Sequence, residues 1–330
     1  MRNKDHLQIG VVGISHRQAS LKTREEIARG TLRLEENGAF LKAPLLFLST
    51  CNRTEIYFSG EDLIGVSSEL LSFFRGKGSE DVSLFYSLFG IDCFSHLCKV
   101  TTGLDSAIIG ETEIQHQVKL AYMRASSAFQ FPKALPKALH YAFQKALRIG
   151  KQARARFAPL SPTLNEILWK IAEKHQGPLS KVLLVGNSEI NRRFAKFLSK
   201  QRNFSLTLAT SNPKFSEKVE GVTVTSRAIL QNWQDFDWLI FATRAGQYLI
   251  GGKGAGHHLV FDLSVPRNVD PNTQRVSLWN IEKITQEIEK ERRLRPAPEA
   301  CVQFVEESAR RYASLYRSRE ERWVQLQTTF

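Results

Sequence analysis

The chain has 330 residues, of which 42% are hydrophobic and 24% charged, with 20 glycines and 11 prolines, and this excludes a disordered, collagen-like or low-complexity protein. The net charge of +13 implies a polyanionic partner (RNA, DNA or an anionic membrane surface) unless the charge is spread evenly as solvated surface. No apolar run approaches the roughly 18 residues of a membrane span, no signal segment fits before residue 9, and the four cysteines do not look like a secreted disulfide framework; a reducing, cytoplasmic setting with no membrane is expected.

Residues 7–14 predict a strand, and 20–29 a helix with Ser20 as its cap and Arg24, Glu25 and Glu26 on its outer side. Residues 44–48 and 55–58 predict two further strands. Their connector, Ser49-Thr50-Cys51-Asn52-Arg53-Thr54, is so short that they should be antiparallel neighbours. Residues 62–75, 80–99, 111–128 and 134–156 predict helices. The last carries Lys137, Lys145, Arg148, Lys151, Arg154 and Arg156, either a solvated face or a positive stripe suited to RNA.

Cys51 stands in a polar connector, with Arg53 two positions on. In an extended chain both side chains share a face, and a nearby cation raises the fraction of reactive thiolate. The alternative is a buried structural cysteine. His96 lies in Asp92-Cys93-Phe94-Ser95-His96-Leu97-Cys98, open to three readings: a metal ligand with Cys93 and Cys98, a satisfied core histidine, or an acid or base near Cys51. The cluster Gly103-Leu104-Asp105-Ser106, followed by Gly110-Glu111-Thr112-Glu113 and Gln117, reads as the opening of a helix. Asp105 or Ser106 would cap it, or Ser106, Glu111 and Gln117 would surround a polar ligand.

From residue 157 the rhythm changes. A helix at 161–174 precedes short strands at 181–185, 206–209, 222–225, 238–241 and 259–263, alternating with helical segments; this argues a doubly wound parallel sheet. The turn Gly186-Asn187-Ser188-Glu189-Ile190-Asn191 has the strand–turn–helix setting of a dinucleotide fingerprint but keeps only its first glycine. Ser188 would point a side chain at the pyrophosphate, and Asn191 would loosen the helix–strand contact that a third glycine permits. No acidic residue ends the second strand, whereas Ser211, Lys214 and Arg244 are candidates for a 2′-phosphate, which favours NADP over NAD. Residues 283–330 are helix formers and charge, broken by Pro296 and Pro298, with an apolar stripe that should pack on the body or on another subunit.

Taken together, Gly13-Ile14-Ser15-His16, Ser49-Thr50-Cys51-Asn52-Arg53-Thr54-Glu55, the block from His96 through Gly103-Leu104-Asp105-Ser106 and Gly110-Glu111 to Gln117-Val118-Lys119, and Asp262-Leu263-Ser264-Val265-Pro266-Arg267-Asn268-Val269-Asp270-Pro271 resemble the glutamyl-tRNA reductase family. The likeness spans about residues 9–282. It implies an α/β multidomain fold. Residues 1–156 would form an α+β catalytic and glutamate-recognition domain, 157–282 a Rossmann-like NADPH domain, and 283–330 a shortened part of a helical dimerisation region. It also implies NADPH-dependent reduction of glutamyl-tRNA(Glu) to glutamate-1-semialdehyde, the first step of tetrapyrrole synthesis by the five-carbon route. By this resemblance Cys51 is the nucleophile and His96 a residue needed for activity. Thr50, Asn52, Arg53, Ser106, Glu111, Thr112, Glu113 and Gln117 fall at glutamate-binding positions, Arg53 gripping a carboxylate. Gly186, Asn187, Ser188, Glu189, Ile190 and Asn191 form the cofactor loop, with Ser211 where the family tends to carry a basic residue. A homodimer and docking to glutamate-1-semialdehyde aminomutase are the family's expected associations. The glycine-poor loop leaves an alternative, a tRNA-binding regulator or an esterase-only relative without hydride transfer. A small-molecule NADP dehydrogenase of the shikimate type, sharing only the second domain, would leave the first domain's polar cluster without a use.

Overall fold

The computed structural model describes residues 7–37, 44–50, 52–75, 81–106, 112–127, 135–157, 163–175, 180–201, 203–215, 219–294 and 298–328. The chain forms two compact units, Met1–Ser161 with Arg292–Phe330, and Pro162–Glu291. Cys51 and Glu111 lie outside the described residues.

The first unit is built on a four-stranded antiparallel sheet in the order β2-β3-β1-β4. Its strands are β1 (Ile9–Ser15), β2 (Leu45–Ser49), β3 (Arg53–Ser59) and β4 (Tyr86–Phe89). Every residue of β1 and β3 is buried, because helices cover both faces of the sheet. On one face Ile9, Val11 and Tyr57 join the core formed with α3 (Gly90–Thr102), α4 (Thr112–Ser127) and α5 (Lys137–Phe157). On the other, Val12, Ile14, Ile56 and Phe58 pack with α1 (Leu21–Asn37) and α2 (Leu63–Arg75). Ser20 begins α1 as expected, its Oγ accepting the Thr23 N–H at 3.3 Å.

The first unit departs from the sequence expectation at two places. Residues 80–99 are not one helix: a 3-10 turn at Val82–Leu84 leads into β4, and α3 starts only at Gly90. Gly90 has φ +57, a conformation that lets the chain turn from strand into helix and that a side chain would resist. Arg24 and Glu25, expected on the outer side of α1, are instead buried, at 4% and 2% exposure.

Residues 283–330 divide between the units. The helix α8 (Ile281–Leu294) starts in the second unit, while α9 (Glu299–Thr328) buries Cys301, Val305 and Ala309 in the core of the first. This is the apolar stripe read from the sequence, seated on α3 and α5. Lys145 lies over the rings of Tyr141 and Tyr312, at 5.4 and 5.2 Å, and Tyr141 donates to the Tyr312 carbonyl at 2.8 Å.

The second unit is a six-stranded parallel sheet in the order β10-β9-β8-β5-β6-β7. It contains β5 (Ser180–Val185), β6 (Phe204–Thr210), β7 (Val222–Ser226), β8 (Trp238–Phe241), β9 (Lys253–Asp262) and β10 (Gln274–Asn280), with α6 (Leu164–Ala172) and α7 (Glu189–Leu198). This is the doubly wound topology expected from the run of short buried strands. The strand at 274–280 was missed because its pattern is half-exposed throughout.

Beyond β9 the chain is folded around Asp262. Its Oδ1 accepts the Ser264 N–H at 3.1 Å and its Oδ2 the N–H groups of Asn268 and Val269 at 2.8 and 2.9 Å. Burial pushes this carboxyl up to about 6, against the pull of those donors towards the ionised form. Asp262→Asn should destabilise the second unit by about 1–3 kcal/mol, because the amide NH2 would face N–H donors and leave them unpaired. Thermal unfolding followed by tryptophan fluorescence checks this; an unchanged midpoint would contradict it.

Candidate active site

The connector between β2 and β3 is shaped by Thr50. Its N–H donates to the Arg53 carbonyl at 2.9 Å, and its hydroxyl accepts the N–H groups of Asn52 and Arg53 at 3.2 and 3.1 Å. A hydroxyl here closes the turn locally, as Ser and Thr side chains do. Asn52 is nearly buried, and its carbonyl accepts the His16 N–H at 2.9 Å, so the end of β1 is tied to the connector. Burial first, then Arg17, Arg24 and Arg53, lower His16 to about 4, so this ring stays neutral near pH 7.

Strand periodicity places Arg53, Glu55 and Tyr57 on one face of β3, the face turned towards α3. There they meet His96, Asp105 and Tyr86 in a continuous polar network. The Arg53 guanidinium gives one nitrogen to Glu55 Oε1 at 3.0 Å and to Asp105 Oδ2 at 2.7 Å, and a second to the Asp105 carbonyl. The other Asp105 oxygen pairs with Arg17 at 2.6 Å. Glu55 Oε1 also meets His96 Nε2 at 2.8 Å and the Tyr86 hydroxyl at 2.6 Å, while Oε2 accepts the Tyr57 hydroxyl at 2.7 Å.

Burial alone would neutralise these charges, and their neighbours prevent it. Burial opposes ionisation of Glu55, but His96 and Arg53 together hold it well below the usual carboxylate range. Burial likewise opposes ionisation of Asp105, and Arg53 and then Arg17 hold it down. Against burial, Glu55 and Asp105 hold Arg53 above the ordinary arginine value. The side chains of Arg53 and Glu55 are 1% and 0% exposed, whereas those of Arg17 and His96 are 44% and 14%. The accessible parts of the network are therefore Arg17, Asp105, whose side chain is 20% exposed, and His96.

Among the described residues Asp105 caps no helix; its two carboxylate oxygens are taken by Arg53 and Arg17. The turn Gly103-Leu104-Asp105-Ser106 closes α3, with Gly103 in the left-handed region at φ 79 and the Leu104 N–H returning to the Lys99 carbonyl at 3.0 Å. This turn aims Asp105 at Arg53 and buries Ser106 beside it. On α4, whose first residue is Thr112, Glu113 and Gln117 are four residues apart and share a face. No contact ties Gln117 to the Arg53–Glu55 network among the described residues. Cys93 and Cys98 are core side chains whose thiols are pushed up by burial, and no group of metal-ligating side chains forms among the described residues.

Sequence reading passed over Glu55, Tyr57, Tyr86 and Arg17 as site residues. The alternation Arg53-x-Glu55-x-Tyr57 on a strand otherwise made for burial was the available signal for the first two. Tyr86 was obscured by the helix expected over 80–99.

In the second unit, Gly186 ends β5 with φ +102, and a Cβ there would meet the Ala242 carbonyl oxygen at 2.5 Å. The next residues depart from expectation. Ser188 turns its hydroxyl back to cap α7, accepting the Asn191 N–H at 3.1 Å, instead of pointing it outward. Asn191 is fully buried and tightens the turn, its amide donating to the carbonyls of Val185 and Gly186 at 2.9 and 2.8 Å. Glu189, which would repel a phosphate at a helix N-terminus, is drawn away by Arg192 and Arg193, each at 2.8 Å. The N–H groups of the first turn of α7 therefore keep the polarity a phosphate needs. Asn187 Oδ1 is buried without a hydrogen-bond partner among the described residues, an acceptor left for a ligand donor. These features fit a dinucleotide held at the carboxyl edge of the sheet.

Comparison with known proteins agrees with both units. Residues 12–157 match the family profile of the glutamyl-tRNAGlu reductase N-terminal domain, and residues 170–287 that of shikimate / quinate 5-dehydrogenase. The chain is 34% identical over 281 residues to glutamyl-tRNA reductase of Chlamydia abortus, covering 78% of each chain. It is 31% identical over 332 residues to that of Akkermansia muciniphila, covering 91% of this chain and 96% of the relative. Among solved structures, glutamyl-tRNA reductase from Methanopyrus kandleri aligns over 96% of this chain and 82% of its own, at 22% identity and TM-score 0.47.

Proposed function

The chain belongs to the glutamyl-tRNA reductase family, and we propose that it reduces glutamyl-tRNA(Glu) to glutamate-1-semialdehyde through a thioester on Cys51. The observation that carries this reading is the buried Arg53–Glu55–His96 network directly behind the connector that bears Cys51. The chemistry follows from the substrate. A free carboxylate resists reduction, but an aminoacyl ester is activated. The Cys51 thiolate attacks the ester carbonyl, a C–S bond replaces the C–O bond, and the departing ribose oxygen takes a proton that His96 supplies. Bound NADPH supplies the hydride that reduces the acyl group, and the Cys51 thiol is released as the aldehyde leaves.

The exposed Arg17 offers positive charge to a glutamate carboxylate, whereas Arg53, predicted from the sequence to grip it, is buried and taken up by Glu55 and Asp105 and acts through the network they form. Thr50 and Asn52 hold the connector in shape, and Ser106, Glu111, Thr112, Glu113 and Gln117 complete the glutamate-binding positions. The turn Gly186-Asn187-Ser188-Glu189-Ile190-Asn191 holds the NADPH pyrophosphate, and its unpartnered Asn187 carbonyl is the acceptor the cofactor satisfies. A reactive aldehyde product makes docking to glutamate-1-semialdehyde aminomutase advantageous, and co-purification tests it; sedimentation tests the homodimer.

The decisive assay is NADPH oxidation with purified glutamyl-tRNA under reducing conditions, with semialdehyde identified as product. Deacylation without NADPH oxidation would instead establish an esterase-only protein. No helix among the described residues is long and apolar enough to cross a membrane, and the basic partner surface is assigned to tRNA. Lys137, Arg148, Lys151 and Arg156 are exposed on α5. If each meets one phosphate, affinity should fall by about 10²-fold between 50 and 200 mM salt. Replacing Arg148 and Lys151 with alanine should lower the salt slope by about two. Filter binding of tRNA measures both, and an unchanged slope would place the tRNA elsewhere.

A further inference from the structure

We propose that Glu55 and Tyr86 are positioning residues that brace His96 so that Nε2 keeps its proton and Nδ1 is the nitrogen that exchanges a proton with substrate. The inference rests on the reading above that His96 serves ester cleavage. It adds which ring nitrogen works and what fixes it.

Glu55 is surrounded by hydrogen-bond donors. Arg53, Tyr57 and Tyr86 all donate to this carboxylate, at 3.0, 2.7 and 2.6 Å. An ionised carboxylate only accepts, so the nitrogen of His96 that meets Glu55 Oε1 at 2.8 Å, which is Nε2, must carry a hydrogen. This holds for both the neutral and the protonated ring. The ionisation of Glu55, favoured by His96 and Arg53 against burial, agrees, since the acceptor stays charged. Nδ1 is then the nitrogen left for the second proton. It has no hydrogen-bond partner among the described residues, and the His96 side chain is 14% exposed where that of Glu55 is fully buried.

Tyr86 supplies the second side of the brace. Its ring meets the His96 ring edge-on, with centroids 5.3 Å apart at 61°. Its hydroxyl shares Oε1 with His96, so the two rings are locked to one oxygen. Gly13 on β1 is paired with Tyr86 and leaves room for it: a Cβ at Gly13 would lie 2.6 Å from the phenol carbon and oxygen. Positioning carboxylates that fix an imidazole tautomer through one nitrogen so that the other can act are a recurrent device.

The test uses the full chain labelled with ¹⁵N-histidine. The His96 signal is assigned by its loss in His96→Asn, and long-range ¹⁵N–¹H correlation shows which nitrogen is protonated in the neutral ring. The expected result is hydrogen on Nε2 and a bare Nδ1. Glu55→Gln, whose amide can donate to Nε2, should release the tautomer preference and lower kcat about 10²-fold with KM for glutamyl-tRNA nearly unchanged. Tyr86→Phe keeps the ring and removes one donor; it should lower kcat about tenfold without a change in KM. A neutral wild-type ring protonated on Nδ1 would overturn the brace, as would an unaltered tautomer and kcat in folded Glu55→Gln. If Glu55→Gln does not fold, the wild-type spectrum and Tyr86→Phe decide. A fully active His96→Asn protein would defeat the assigned role of His96 instead, a different result from a misplaced proton.

Discussion

Cys51→Ser is expected to abolish tRNA-dependent NADPH oxidation, with a loss of at least about 10³-fold, while tRNA binding stays within about twofold of wild type. The substitution changes one atom, and the connector that carries it is shaped by its neighbours. The Thr50 hydroxyl and N–H close the turn onto Asn52 and Arg53, and the Asn52 carbonyl is held by His16. The fold of the neighbouring residues is thereby preserved and nucleophilicity is lost, because a serine hydroxyl is hardly ionised near pH 7 whereas a cysteine thiol has an accessible thiolate form. The tRNA contacts assigned to α5 do not involve the connector, so filter binding separates the two effects. Turnover by Cys51→Ser at more than roughly a tenth of the wild-type rate would exclude the covalent route. A second, independent expectation is that alkylation of the native enzyme by iodoacetamide removes turnover, and that bound glutamyl-tRNA slows the alkylation.

How much of this was legible in the sequence depends on how local each signal was. The doubly wound sheet followed from apolar runs such as Val182-Leu183-Leu184-Val185, which are buried on both faces and need only their own composition to be recognised. The antiparallel pairing of β2 and β3 followed from a connector too short for any other arrangement. Harder to see was everything that required two distant segments. Asp105 reads as a helix cap from its neighbours, and only the left-handed turn at Gly103 sends it back to an arginine 52 residues earlier. Tyr86 sits in a sequence that continues plausibly into a helix, and its role depends on a glycine in another strand. The cofactor loop shows the same limit. Asn191 looks like a defect in a glycine motif until its amide is seen holding the two carbonyls at the end of β5.

Arg53→Met should be the most destabilising single change in the first unit that leaves its hydrophobic packing in place. It keeps an apolar stem of similar length but leaves Glu55, with a fully buried side chain, and most of Asp105 without their central cation. Breaking a buried ion pair on one side costs about 3–5 kcal/mol. For a unit of this size that lowers the unfolding midpoint by about 6–20 °C. The pH dependence distinguishes this mechanism from simple loss of packing. Glu55 and Asp105 have folded-state pKa values below their ordinary 4.5 and 3.8. Their contribution is therefore fully present above about pH 4.5 and is lost as the pH falls below it. In Arg53→Met the same carboxylates are a cost when charged, and protonation relieves it. The gap between wild type and variant should accordingly be widest near neutrality and narrow on acidification. The second unit provides an internal contrast, because Asp262 is raised to about 6 and its ionisation costs stability as the pH rises from about 4 to 6. Four of the five tryptophans, Trp169, Trp233, Trp238 and Trp279, lie in that unit and Trp323 in the first, so tryptophan fluorescence read in a Trp323→Phe background follows the second unit, while the helical signal of the first unit is read by far-ultraviolet circular dichroism. A wild-type–variant gap that stays constant between pH 7 and roughly pH 3.5 would show that Arg53 acts by filling space and not by charge.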